Sequence, residues 1–158
     1  LKRVCDQHDP EYYAKFKPWA DDYFYIKHRK ETRGIGGIFF DHLKASDTHS
    51  KNELWSFVQD VGNTFAPTYT HYMTKNNGLP YGEHEQQWQH IRRGRYVEFN
   101  LVLDKGTKFG LDTDGRIESI LMSLPPLAGW EYNYLPESGS KEALTQQLLV
   151  KGIDWAAK

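Results

Sequence analysis

Arg92, Arg93 and Arg95 stand together, interrupted by Gly94. A guanidinium fork meets a carboxylate through two parallel hydrogen bonds, so such a group suits the gripping of an acid-bearing ligand. A plainer account is that Arg92 and Arg93 complement the negative end of a helix stopping at Gly94, an effect of about 0.3 to 1 kcal/mol. Just downstream, polar and apolar residues alternate. Val97, Phe99, Leu101 and Leu103 fall on one face, while Tyr96, Glu98, Asn100 and Asp104 fall on the other. A carboxylate ending this run, near arginines, can recognise a molecule carrying both acid groups and N–H groups. For Asp104 the alternative is structural, since Asp104-Lys105-Gly106 has the usual residues of a tight hairpin turn.

Other chemistry is sparse. The seven histidines include no pair at the three- or four-residue spacing that would put two imidazoles on one helix face; His84 and His90, for instance, are six apart. No Gly-x-Ser-x-Gly elbow is present, and Cys5 has no evident histidine partner. That lone cysteine also excludes an intrachain disulfide and any multi-cysteine cluster.

The elements that must position these groups are legible in outline. Asp9-Pro10 opens a helix expected over residues 10–30, with Tyr12, Phe16, Trp19, Tyr23 and Ile26 along one side. The run from Arg33 through Gly34, Gly36 and Gly37 to Ile38-Phe39-Phe40 reads as a loop entering a strand, with glycine spacing wrong for a nucleotide-binding fingerprint. Ser50 and Glu53 form a capping box for a helix striped by Leu54, Val58, Val61 and Phe65, which Pro67 should end or bend. A polar helix over 83–93 is expected to stop at Gly94. Strands are expected over 96–104, 107–112 and 116–124, separated by turns at 104–106 and 113–115, with a further strand near 130–134. A last helix, capped by Ser140, should span 140–150. Strands and helices segregate without a βαβ alternation, so the fold class is α+β: an antiparallel sheet covered by helices, in one domain over 1–158.

Twenty basic against 21 acidic side chains leave a net charge of -1, which gives no global pull toward nucleic acid or anionic membrane. Aromatics are plentiful at 15%. A single-strand nucleic-acid binder using stacking residues is therefore an alternative that the near-neutral charge disfavours. No apolar run approaches the length of a membrane span. The chain opens on Leu1 in what reads as the middle of a helix, so a fragment of a longer protein is expected.

Several blocks together resemble the oxygen-dependent coproporphyrinogen III oxidases. They are Arg33-Gly34-Ile35-Gly36-Gly37-Ile38-Phe39-Phe40, then Arg92-Arg93-Gly94-Arg95-Tyr96-Val97-Glu98-Phe99-Asn100-Leu101, Gly106-Thr107-Lys108-Phe109-Gly110-Leu111 and Glu118 through Pro126. Trp19, Asp21-Asp22-Tyr23-Phe24, His28-Arg29, Trp130-Glu131-Tyr132 and Asp154-Trp155 extend the likeness along nearly the whole chain. The resemblance implies the C-terminal portion of such an enzyme, with the N-terminal half absent. It also implies a flat seven-stranded antiparallel sheet covered by helices, a homodimer, and oxidative decarboxylation of two propionates of coproporphyrinogen III to vinyls. Molecular oxygen would be co-substrate and no redox cofactor would be required. Asp104 would be catalytic, acting on pyrrole N–H; Arg93 and Arg33 would bind propionates; Asp114, Gly115 and Arg116 would contact substrate. His28, Tyr96, Glu98 and Asn100 would lie in the dimerisation region, and His28 is also connected with a divalent metal. Cytoplasmic location is expected, or organellar in a eukaryote. Lys105 stands where the family usually has arginine, Gly129 where arginine is common, Asp114 for glycine and His42 for aspartate. Family substrate contacts upstream lie outside this chain, so catalysis is expected of the full-length protein rather than of this segment alone. A non-catalytic tetrapyrrole-binding or dimerisation fragment is the competing reading.

Overall fold

The computed structural model describes residues 1–157. They are helix-rich, carry one two-stranded antiparallel sheet and divide into two compact units. The combination of helices with antiparallel strand pairing agrees with an α+β class.

The first unit takes residues 1–23, 36–80 and 151–157. It holds α1 (Lys2–His8), α2 (Tyr12–Tyr23), α3 (Lys51–Asn63) and α4 (Phe65–Asn76). Asp9 opens α2 as expected, its carboxylate accepting the Glu11 N–H at 2.8 Å. Tyr12 and Phe16 turn inward from α2 and meet Cys5 and Phe57, backed by Trp19, Phe40, Leu54 and Val61. The Phe57 ring lies 4.7 Å from Tyr12 and 5.0 Å from Phe40, spacings at which tilted rings attract beyond their burial. Residues 38–40, expected as a strand, have no ladder partner; the Phe39 N–H donates to the Phe16 carbonyl at 3.1 Å, and its ring stacks 4.4 Å from Tyr23. Ser50 heads α3 with the complete capping box, Ser50 N–H donating to Glu53 at 2.7 Å and Glu53 N–H to Ser50 Oγ at 3.3 Å. The break after α3 comes at Thr64 instead of Pro67, which falls in the first turn of α4, where its missing N–H leaves no helical bond unmade.

The second unit takes residues 24–35 and 81–150. The helix expected over 10–30 has already ended at Tyr23. From Phe24 the chain folds back as a hairpin of β1 (Tyr25–Ile26) and β2 (Glu31–Thr32), Lys30 turning at φ 56 and the Arg33 N–H returning to the Phe24 carbonyl at 2.8 Å. Aromatic and β-branched residues at 25, 26 and 32 suit strand more than helix. Next come α5 (Glu83–Glu98), a π-helical turn (Phe99–Leu103), α6 (Lys105–Asp112), α7 (Ile117–Leu121) and α8 (Lys141–Gln147), the last capped by Ser140 Oγ on the Ala143 N–H at 3.1 Å.

Two expectations are corrected here. Gly94 does not end α5, which runs on to Glu98. A glycine is required there by close approach, because a Cβ would overlap the Gly129 carbonyl oxygen and lie 3.3 Å from the Trp130 ring. The strands expected over 96–104, 107–112 and 116–124 are helical or turn, and 130–134 has no strand pairing. Two periods compete in this stretch. Ile91, Arg95 and Phe99, four apart, are the buried stripe of a helix, whereas Leu101 and Val102 of the alternating run are exposed. At the expected hairpin, the Asp104 side chain captures the Thr107 N–H and starts a helix. The hairpin of α6 on α7 is closed by two glycines against one side chain: a Cβ at Gly110 or at Gly115 would lie 2.9 Å from Ile120 Cδ1.

Candidate functional site

All the expected site residues belong to the second unit. Helical pitch along α5 decides which arginine stays available. Arg92 and Arg95, three apart, share a face, while Arg93 is turned about 100° away from Arg92. On the shared face, Arg92 Nη1 donates to Glu31 Oε1 at 2.8 Å, and Arg95 Nε lies 3.6 Å from the same oxygen. Glu31 and Arg95 are both buried, at 6% exposure each. Burial, then the charge of Arg29, pushes the Arg95 guanidinium below its usual range, with Glu98 and Glu31 pulling the other way. Arg92 also lies over the Trp88 ring, 5.6 Å from its centroid, and its Nη2 is buried without a hydrogen-bond partner. Arg93 has no hydrogen bond or ion pair among the described residues. It is the arginine of the run without an acid partner among those residues.

Glu98 is the hub beside it. Its carboxylate accepts from Arg29 Nε at 2.9 Å, Arg29 Nη2 at 2.5 Å, His28 Nε2 at 2.9 Å, Trp130 Nε1 at 2.8 Å and Arg95 Nη1 at 3.4 Å. The Arg29 hydrogen bonds dominate, ahead of those from His28 and Trp130, and against the cost of burial they hold the acid down to about 2. Arg33 leaves β2 with its guanidinium carbon 4.3 Å from the Phe24 ring and 5.2 Å from both Tyr96 and Phe99, a cradle of three aromatics for one cation. Asn100 Nδ2 donates to the Tyr96 carbonyl at 2.8 Å, a bond between successive turns rather than across a sheet.

Asp104 follows the π-helical turn and caps α6. Its Oδ2 accepts both the Thr107 N–H at 2.7 Å and the Thr107 hydroxyl at 2.9 Å. Asp114-Gly115-Arg116 joins α6 to α7, with Asp114 at φ 54, the Gly115 N–H donating to the Gly110 carbonyl at 2.9 Å and Arg116 exposed at the head of α7. A strand from 107 to 112 would have set the two turns near 20 Å apart along the sheet; the eight residues of α6 rise only about 12 Å.

The sequence reading missed Glu31, Arg29 and Trp130 as members of this network. Their contacts span 61 and 69 positions for Arg92–Glu31 and Arg29–Glu98, and no local period reports such distances. His28, the residue connected with a divalent metal, faces Glu98. The carboxylate beside that imidazole is already bonded by arginines, and no group of three or more His, Cys, Asp or Glu side chains gathers among the described residues. No helix among those residues is long and apolar enough to cross a membrane.

Comparison with known proteins bears on the whole stretch. Residues 1–155 match the family model described as coproporphyrinogen III oxidase. A chloroplastic oxygen-dependent coproporphyrinogen-III oxidase of Glycine max is 51% identical over 154 residues, that of Drosophila melanogaster 52% over 156, and the mitochondrial protein of Homo sapiens 54% over 156. Each alignment covers 98% of this chain but only 39%, 39% and 34% of the respective relative, so the chain spans between a third and two-fifths of their length. With its arginine run, hairpin and capped aspartate all inside the matched residues, the chain belongs to the coproporphyrinogen III oxidase family.

Proposed function

We propose that this chain is the C-terminal portion of an oxygen-dependent coproporphyrinogen III oxidase, and that it supplies part of one wall of the tetrapyrrole site. In that reaction each of two propionates loses its carboxylate as carbon dioxide and a hydrogen from its β-carbon. A vinyl group remains, and the electrons removed pass to molecular oxygen. The observation that carries the reading is the availability of Arg93: its neighbours Arg92 and Arg95 are occupied by Glu31 and Glu98, while it has no acid of its own among the described residues. Arg93 and Arg33 bind propionates, Asp104 acts on pyrrole N–H, and Asp114, Gly115 and Arg116 contact substrate. Oxygen serves as oxidant without a redox cofactor, and a divalent metal at His28 would need ligands from outside these residues.

The full-length fold we propose is a seven-stranded antiparallel sheet covered by helices, in a homodimer whose contact region includes His28, Tyr96, Glu98 and Asn100. Exposed Leu101, Val102, Phe109 and Met122 support this, since they are apolar surface that a larger sheet or a partner would bury. The protein would work in the cytoplasm, or in an organelle where the source is eukaryotic.

The test is aerobic conversion of coproporphyrinogen III by the full-length protein, before and after metal chelation. Asp104→Ala is expected to abolish development of porphyrin fluorescence. Arg93→Ala is expected to raise KM tenfold to a hundredfold, the loss of a charge-assisted bond of about 1.5 to 3 kcal/mol. Undiminished turnover in Asp104→Ala would remove that residue from the chemistry, and activity lost on chelation would restore a metal.

A further inference from the structure

We infer that Glu98 is a positioning residue that acts within its own chain, latching the β1–β2 hairpin to α5 and so holding Arg33 in its aromatic cradle. The inference rests on the functional reading above for Arg33 as a propionate ligand. A carboxylate offers about four lone-pair sites on its two oxygens. Glu98 receives five donors from His28, Arg29, Arg95 and Trp130, so its acceptor capacity is spent before any second subunit or substrate arrives.

Three of those five donor atoms share an origin. His28 and Arg29 lie in the hairpin loop between β1 and β2, while Glu98 and Arg95 lie in the last turns of α5. One strand further on, Glu31 repeats the arrangement with opposite polarity, accepting from Arg92 at 2.8 Å and facing Arg95 at 3.6 Å. The hairpin is thus pinned at its loop by an acid on the helix and at β2 by an acid of its own. Strand pairing at only two residue pairs would not hold it alone.

Arg33 is the next side chain to inherit this order. Its backbone N–H closes onto Phe24 at 2.8 Å, two positions past Glu31, and two of the three rings beneath its guanidinium, Tyr96 and Phe99, flank Glu98 in sequence. The same short stretch of backbone therefore carries both the latch and the cradle. Releasing the latch frees Arg33 from that cradle, and a guanidinium that must be ordered on binding costs affinity.

The test pairs amide exchange with kinetics in the full-length enzyme, using Glu98→Gln, Arg33→Gln and the double variant. Glu98→Gln should speed exchange of the Thr32 and Arg33 amides at least tenfold. It should raise KM about tenfold with kcat within twofold, and adding it to Arg33→Gln should raise KM no further. Unchanged exchange at 32 and 33, or KM effects that multiply in the double variant, overturns the latch. Faster exchange in Glu98→Gln with KM unmoved by Arg33→Gln instead refutes the binding role of Arg33. Should Glu98→Gln not fold, His28→Leu combined with Trp130→Phe removes two of the five donors and is read the same way. Rescue by Glu98→Asp is not expected, because the shorter arm cannot reach both Arg29 and Trp130.

Discussion

Protonating Glu98 should cost the protein a definite amount of stability in a definite pH window. The acid moves from an ordinary value of 4.5 to about 2 because Arg29, then His28 and Trp130, bond its charged form. A carboxyl whose folded value is depressed contributes its full stabilisation above its unfolded value and loses it as pH falls through the folded one. The window therefore runs from about pH 4.5 down to about pH 2. Two to three pKa units at about 1.4 kcal/mol each give on the order of 3 kcal/mol. The side chain is 12% exposed, so solvent screens little of this. Urea unfolding of the full-length protein and of Glu98→Gln, followed by circular dichroism at steps between pH 6 and pH 2, isolates this group from the other acids. The stability gap between the two should be widest at pH 6 and shrink by about 3 kcal/mol as pH falls to 2. Neighbouring His28, Arg29, Arg95 and Glu31 are present in both proteins, so the difference between the two reports on position 98. A gap that stays constant with pH would mean that Glu98 is not held by these donors.

Two further outcomes follow from local geometry. Ser50→Ala removes the hydroxyl that accepts the Glu53 N–H and should lower stability by about 1 kcal/mol, visible as a lower urea midpoint with an unchanged slope. Gly94→Ala forces a methyl against the Gly129 carbonyl and the Trp130 ring and should cost about 1 to 3 kcal/mol; a stabilised variant, as a left-over helix glycine would give, contradicts the close approach.

Local chemistry was readable wherever a single residue type could satisfy a nearby backbone group. The caps at Ser50 and Ser140 and the opening of α2 at Asp9 are of this kind, for their partners lie within three residues. The aromatic stripe of α2 was readable too, because Tyr12 and Phe16 repeat at helical spacing and have one core to enter. Residues 96–104 were not, since an alternating run of nine is also compatible with a helix when Ile91, Arg95 and Phe99 supply a second stripe. Asp104 carried the same ambiguity in its own side chain: the carboxylate that suits a tight turn equally suits a cap on Thr107. Of the site, the arginine run was evident from its density. Which arginine remained available was not, because that depends on Glu31 and Glu98 arriving from the hairpin and from one turn further along α5.

The methyl at Ile120 Cδ1 ties the fates of two other positions together. At Gly110 and at Gly115 an added side chain would lie 2.9 Å from that same atom. Trimming Ile120 to valine deletes the obstructing carbon, after which alanine at Gly110 meets a distance that neighbours can absorb. At Gly115 the Gly110 carbonyl, 2.6 Å from the added carbon, still forbids it. Relatives that enlarge position 110 should thus be found shortened at 120, while position 115 stays invariant in both backgrounds, a signature of epistasis written by one carbon atom.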